Sequence, residues 1–96
     1  GLVIVMDVRH PLREYDLQML DFANSRNLPV HCLLTKSDKL GRSEQAKTLN
    51  QVKKDLLGRA SVQLFSGSSK IGVDEARAVV TGWLQNENQN MGDPHG

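Results

Sequence analysis

The sequence predicts an α/β fold of three layers, a parallel sheet with flanking helices in the order β-α-β-α-β-α. Three observations predict it. Short apolar runs, "LVIVM" (2 to 6), "VHCLL" (30 to 34) and "SVQLF" (61 to 65), alternate with three longer segments of helical period. The first two runs are nearly continuous in apolar residues, as strands covered on both faces of a parallel sheet are. Polar residues follow each run directly, at Asp7, at Thr35 to Asp38 and at Ser66 to Lys70, and in open parallel sheets the ligand crevice lies at the carboxyl ends of the strands.

The opening "GLVIVMD" lacks an initiator Met and the basic flank of a signal peptide, and reads as a strand already in progress. We therefore expect an excised piece of a longer protein, with one or more strands upstream. The first helical segment follows Pro11, a residue suited to a helix start, and carries Leu12, Tyr15, Met19 and Phe22 as its stripe, widened by Leu20 and Ala23. Asn27 and Pro29 stop it. The second helix starts with Ser43 as N-cap and Glu44 in the first turn, buries Leu49, Val52 and Leu56, and ends at Gly58. The third follows Gly72, with Val73, Ala76, Val80, Trp83 and Leu84 on one stripe and Trp83 in the core. Residues 1 to 86 form one domain, and 87 to 96, almost free of apolar residues, read as a disordered tail.

With 96 residues, 39% hydrophobic and 24% charged, the composition is that of a soluble globular domain, and no apolar run nears the roughly 20 residues of a membrane span. No membrane partner is expected. The single Cys32, inside an apolar run, reads as a buried thiol and fits a reducing, cytoplasmic setting. His31 alternates with apolar neighbours and reads as a satisfied sheet residue, and His95 lies in the tail. Net charge is only +1, but residues 39 to 59 hold six bases against two acids, which reads as a solvated helix face or as a surface for a phosphate-rich partner.

The run "LLTKSDKL" (33 to 40) places Lys36 and Asp38 just past a strand. An Asp carboxylate offers two coplanar acceptors that match the adjacent ring N–H and exocyclic amine of guanine, a donor pair adenine lacks. Lys36 can lay its methylene stem over a flat base, and the Thr35 hydroxyl can tie the loop to a neighbour. A plain turn cap at Asp38 with a solvated Lys36 fits the same letters. In "FSGSSKIG" (65 to 72), the small Ser66, Gly67 and Ser68 let backbone N–H groups approach a ligand, and one aimed at a carbonyl oxygen would complete the choice of guanine. A Ser/Gly turn feeding a helix fits equally.

"VMDVRHP", "TKSD" and "FSGSSKIGVDEA", in that order, resemble the carboxyl-terminal half of a Ras-like GTPase domain, and more narrowly the EngB (also YihA or YsxC) family of bacterial ribosome-biogenesis GTPases. The resemblance covers residues 1 to about 86. It implies that Thr35, Lys36 and Asp38 are the base-recognition motif and that Ser66, Gly67 and Ser68 form the loop whose backbone meets the guanine oxygen. Asp7, Arg9 and His10 match a family signature, and we read them as bracing the first strand end and the first helix. It further implies that the intact protein binds GTP and GDP with Mg2+, hydrolyses GTP, assists assembly of the large ribosomal subunit, and serves cell division and septation.

No G-x-x-x-x-G-K-[ST] occurs, so the phosphate loop and magnesium ligands lie outside this sequence, and the fragment alone is expected to be inactive. An unpaired first strand would also leave an apolar edge through which the fragment self-associates. Two other readings stand beside this one. A phospho-receiver would use Asp7 as acceptor, with Pro11 four residues on and Thr35 at the next strand end. Against it, Lys70 lies five residues beyond Phe65 with no following Pro, and the second helix is long. A small α/β interaction module without ligand is the third.

Overall fold

The computed structural model describes the backbone of residues 1–91 and the side-chain surroundings of residues 1–85. Its elements are β1 (Leu2–Asp7), α1 (Glu14–Ser25), β2 (Val30–Thr35), a short 3-10 turn (Ser37–Lys39), α2 (Arg42–Leu56), β3 (Ser61–Leu64) and α3 (Val73–Met91). The strands are all parallel in the order β1-β2-β3. Because both crossovers step the same way along the sheet, right-handed connection puts α1 and α2 on one face. Alternation then divides the side chains. Ile4, Met6, Val30, Cys32, Leu34 and Val62 form a buried core with Leu20 and Ala23 of α1 and Val52 and Leu56 of α2. Each fully buried leucine there stabilises the fold by about 1.5–3 kcal/mol.

The opposite face carries α3 and is more polar. Val3 shares a hollow with Val80, Trp83 and Leu84, while on the next strands His31 is buried between Ser61 and Gln63. The two ring nitrogens of His31 lie 2.6 Å from Ser61 Oγ and 2.6 Å from Gln63 Oε1. Gln63 Nε2 donates onward to the carbonyls of Leu64 and Gly72, so Oε1 is left as acceptor and Nε2 of His31 carries the proton. His31 is the satisfied sheet residue its alternation predicts.

The α2 stripe is as expected, with Leu57 and Gly58 closing the helix in left-handed conformations. Its start is two residues early, with Gly41 rather than Ser43 at the cap. α1 differs more. Leu12 takes φ +55 and breaks the chain direction, so the helix begins at Glu14 behind an Arg13 amide that donates to Asp16 Oδ2 at 3.1 Å. The buried side then centres on Asp16, Leu20 and Ala23, so the widening residues Leu20 and Ala23 are buried as expected, whereas Tyr15 and Phe22 are exposed. The Phe22 ring is covered by the Arg26 guanidinium at 3.9 Å.

α3 continues to Met91, five residues into the stretch read as a tail. Asn, Gln and Glu are poor core formers but do not stop a helix, and the next breaker is Gly92. The tail expectation for residues 92 to 96, His95 among them, lies outside the described residues. Trp83 is half-buried against Gly1, at the margin of the sheet and not in the core. Among the described residues no helix is long and apolar enough to cross a membrane.

Candidate functional site

Parallel strands end at one edge, so the loops after β1, β2 and β3 converge there. Asp7 and Thr35 are register partners, and the Val8 amide donates to the Thr35 carbonyl at 3.0 Å. On the other side the Phe65 amide donates to Leu34 O at 2.9 Å and the Ser37 amide to Phe65 O at 3.1 Å, which carries the pairing beyond the end of β3.

The loop after β2 is fixed residue by residue. Thr35 Oγ1 donates to Met6 O at 3.0 Å, the tie to a neighbour its hydroxyl offers. Lys36 adopts φ +59, ψ 30, which turns the chain sharply. Ser37 is fully buried; its Oγ donates to Leu34 O at 2.6 Å and accepts the Phe65 N–H at 3.1 Å. Gln45 reaches back from α2, its amide donating to Ser37 O at 2.6 Å and Leu40 O at 3.0 Å. The 3-10 turn is thereby held from below, and Asp38 stands on it.

The loop after β3 closes on itself. Ser66 and Ile71 exchange backbone hydrogen bonds at 2.9 and 3.0 Å, and Lys70 takes φ +57 inside the closure. Ser66 is buried, and its Oγ donates to Asp38 Oδ1 at 2.7 Å while accepting the Ser69 N–H at 3.2 Å. Ser68 Oγ lies 3.3 Å from it. The structure thus joins Asp38, Ser66 and Ser68 directly, with Gly67 exposed on the turn between the serines. Thr35 and Lys36 share the Asp38 loop but lean the other way, toward β1. Ser37 and Gln45 hold this loop in place, a role that the motif letters missed. A small hydroxyl between Lys36 and Asp38, directly after a buried strand, was the available signal for Ser37.

At the β1 end, Asp7 Oδ1 accepts the backbone N–H of Arg9 at 2.9 Å and its Nε–H at 3.2 Å, and Oδ2 accepts from Nη2 at 3.2 Å. Lys36 Nζ lies 3.7 Å from Oδ2. The Arg9 side-chain hydrogen bonds, then its backbone amide, hold the Asp7 carboxyl well below the usual carboxylate range, and the same pairing raises Arg9. A depressed carboxylate pKa stabilises the fold fully above the unfolded value and progressively less as pH falls below it. Asp7→Asn should therefore flatten the decline of stability on acidification below about pH 4, read by urea unfolding at stepped pH. An identical acid slope in the variant would refute the role. A carboxylate gripped on both oxygens is also poorly placed to attack phosphorus, which disfavours the receiver reading. Burial, with the Asp16 charge adding to it, pushes the Cys32 thiol up to about 11, so it is a protonated core group.

The largest cleft described, about 430 Å³, lies elsewhere, between Val8, Leu12 and the Glu44, Thr48 and Val52 side of α2. What the strand-end loops offer is a carboxylate oriented by a hydroxyl, a lysine stem beside it, and a tight small-residue turn. One Asp38 oxygen is pinned by Ser66 with a lone pair to spare, so the carboxylate can still accept two coplanar donors.

Comparison with known proteins defines first a class. The chain superposes on translation elongation factor SelB of Methanococcus maripaludis, apo form, with TM-score 0.77 and 25% identity, covering 90% of this chain and 20% of that one. The same factor in complex with the GTP analogue GppNHp gives TM-score 0.72 and 29% identity over 88% of this chain and 20% of that one. The fold is a partial Ras-like α/β domain of the P-loop GTPase kind.

Within this class the sequence is similar to EngB proteins. The chain is 58% identical to "Probable GTP-binding protein EngB" of Xanthomonas oryzae pv. oryzae (strain PXO99A) over 88 aligned residues, which take in 88% of this chain and 42% of that protein. It is 57% identical to the protein of that name from Stenotrophomonas maltophilia (strain K279a), with 88% and 44% covered. The EngB resemblance carried by the three loops is borne out. The chain spans less than half the length of these relatives. No family model matches the chain.

Proposed function

We propose that this chain is the guanine-recognition half of an EngB-type GTPase. Asp38 would accept the ring N–H and exocyclic amine of guanine, the Lys36 stem would lie over the base, Thr35 would brace that loop, and the Gly67 and Ser68 amides behind Ser66 would meet the guanine oxygen. The observation that carries the reading is the 2.7 Å hydrogen bond from Ser66 Oγ to Asp38 Oδ1, which fixes one loop on the other and preorients the carboxylate. The test is backbone amide NMR of the chain with millimolar GDP and, in parallel, ADP. Shifts confined to Lys36, Ser37, Asp38, Ser66, Gly67 and Ser68, seen with GDP alone, support it; equal response to ADP overturns it.

GTP hydrolysis with magnesium belongs to the longer protein in this proposal. Asp7 is engaged by Arg9 and Lys36 and Asp38 by Ser66, so these residues do not fit a magnesium site and no hydrolytic step is assigned to them. The proposed setting is the cytoplasm, and the proposed partner is the large ribosomal subunit, with consequences for cell division and septation. The similarity to EngB supports it, as do Lys39, Arg42, Lys47, Lys53 and Lys54, all exposed along α2 and its approach.

Self-association is part of the same proposal. Among the described strands β1 pairs only with β2, and Val3 and Val5 are 36% and 60% exposed beside its free edge. The expected result is concentration-dependent mass in sedimentation equilibrium, abolished in Val5→Lys. A monomer at all concentrations would end this part.

A further inference from the structure

We propose that Asp7 is a positioning residue for guanine nucleotides, its carboxylate anchoring the Lys36 ammonium so that the lysine stem is held as the wall on which the base lies. The inference rests on the guanine reading above and assigns to the β1 end a part in binding beyond bracing the strand.

Lys36 poses a problem that its loop does not solve. Its backbone is fixed in the left-handed region, between a Thr35 hydroxyl bonded to β1 and a buried Ser37 bonded to β2 and β3. Its side chain, however, is 60% exposed and has four rotatable bonds. Left to itself such a stem spreads over many rotamers, and a ligand that stacks on it must first order it.

Asp7 supplies the missing constraint. As register partner of Thr35 it stands one residue back from Lys36 on the adjacent strand, with Oδ2 3.7 Å from Nζ. Three hydrogen bonds from Arg9 stop the carboxylate from rotating, so the charge that Lys36 meets has a fixed position. The Lys36 ammonium is thereby drawn toward β1, while Ser66 draws the Asp38 carboxylate toward β3. The two recognition groups diverge across the sheet edge, and a planar base fits between a lysine stem on one side and an acceptor edge on the other. Preorganisation of this kind strengthens binding without adding a contact to the ligand.

A double-mutant cycle on the 96-residue chain separates positioning from bracing. GDP dissociation constants are read by amide NMR titration at low salt for wild type, Asp7→Asn, Lys36→Met and the double variant. Asp7→Asn should weaken GDP about threefold to fivefold, the scale of an exposed ion pair, and that loss should shrink at high salt. Lys36→Met keeps most of the stem but removes the charge, so Asp7→Asn should then cost nothing further. The same fold loss from Asp7→Asn in both backgrounds would show a strand brace only and overturn the proposal, as would an unchanged GDP affinity in Asp7→Asn. Should Asp7→Asn disturb the β1 end, Asp7→Glu is carried through the same cycle, because its longer side chain takes the carboxylate past Lys36 and predicts the same pattern, a loss in wild type that vanishes in the Lys36→Met background. If wild type gives no GDP-specific shifts at Asp38 and Ser66, the guanine reading fails, and this proposal fails with it.

Discussion

Asp38→Asn should exchange guanine for xanthine. The carboxylate presents two acceptors to the guanine N–H and amine, whereas Asn presents one acceptor and one amide donor, and that donor would face the exocyclic amine. Losing a charge-assisted hydrogen bond and opposing two donors costs about 3 kcal/mol or more, on the order of 100-fold in affinity. Xanthine carries a carbonyl where guanine has the amine, so the same amide donor gains a partner. The variant should keep its loop geometry, because Asn Oδ1 still accepts from Ser66 Oγ. Parallel titrations with GDP and xanthosine diphosphate read the exchange. GDP binding that survives within a factor of two would remove Asp38 from the recognition edge and leave it as a turn cap.

The loops carried this reading in the sequence because each follows a strand whose end apolar continuity made legible. The α2 stripe was legible for a similar reason, since Val52 and Leu56 keep helical spacing between two glycines. α1 was not, because its phase depends on a left-handed Leu12 that no periodicity announces. The shift in phase put Asp16 on the buried side and left Tyr15 and Phe22 exposed, while Leu20 and Ala23 stayed buried. Asp16 is buried because its carboxylate caps the helix start, a role that hydropathy counts against it. At the site, the motif letters marked Asp38 and Ser66, but their mutual hydrogen bond spans 28 residues of sequence. The Asp7 to Lys36 approach is hidden in the same way, since it follows from strand register and not from spacing along the chain.

Gly72→Ala should be among the most destabilising single changes in the chain. Gly72 takes φ +72, and an added Cβ would overlap the Leu64 carbonyl oxygen and the Gln63 side-chain amide. The left-handed backbone alone costs an alanine about 1–2 kcal/mol, and the overlap adds to it because the Leu64 neighbour is strand backbone with no freedom to yield. Relief by moving Gln63 would break its donation to Gly72 O at 2.7 Å and loosen the 2.6 Å contact between Gln63 and His31, leaving buried polar groups without partners. Relief by moving the chain would pull on Ile71, whose pairing with Ser66 closes the loop after β3. Either way the total should reach about 3 kcal/mol, within the range for strain joined to a broken buried network. Urea unfolding measures the loss, and the Ser66 and Asp38 amides should shift with it, so that guanine binding weakens in the fraction still folded. A loss under about 0.5 kcal/mol, the ordinary scale of a surface substitution, would mean that the turn yields freely and that the geometry of the β3 end does not depend on glycine.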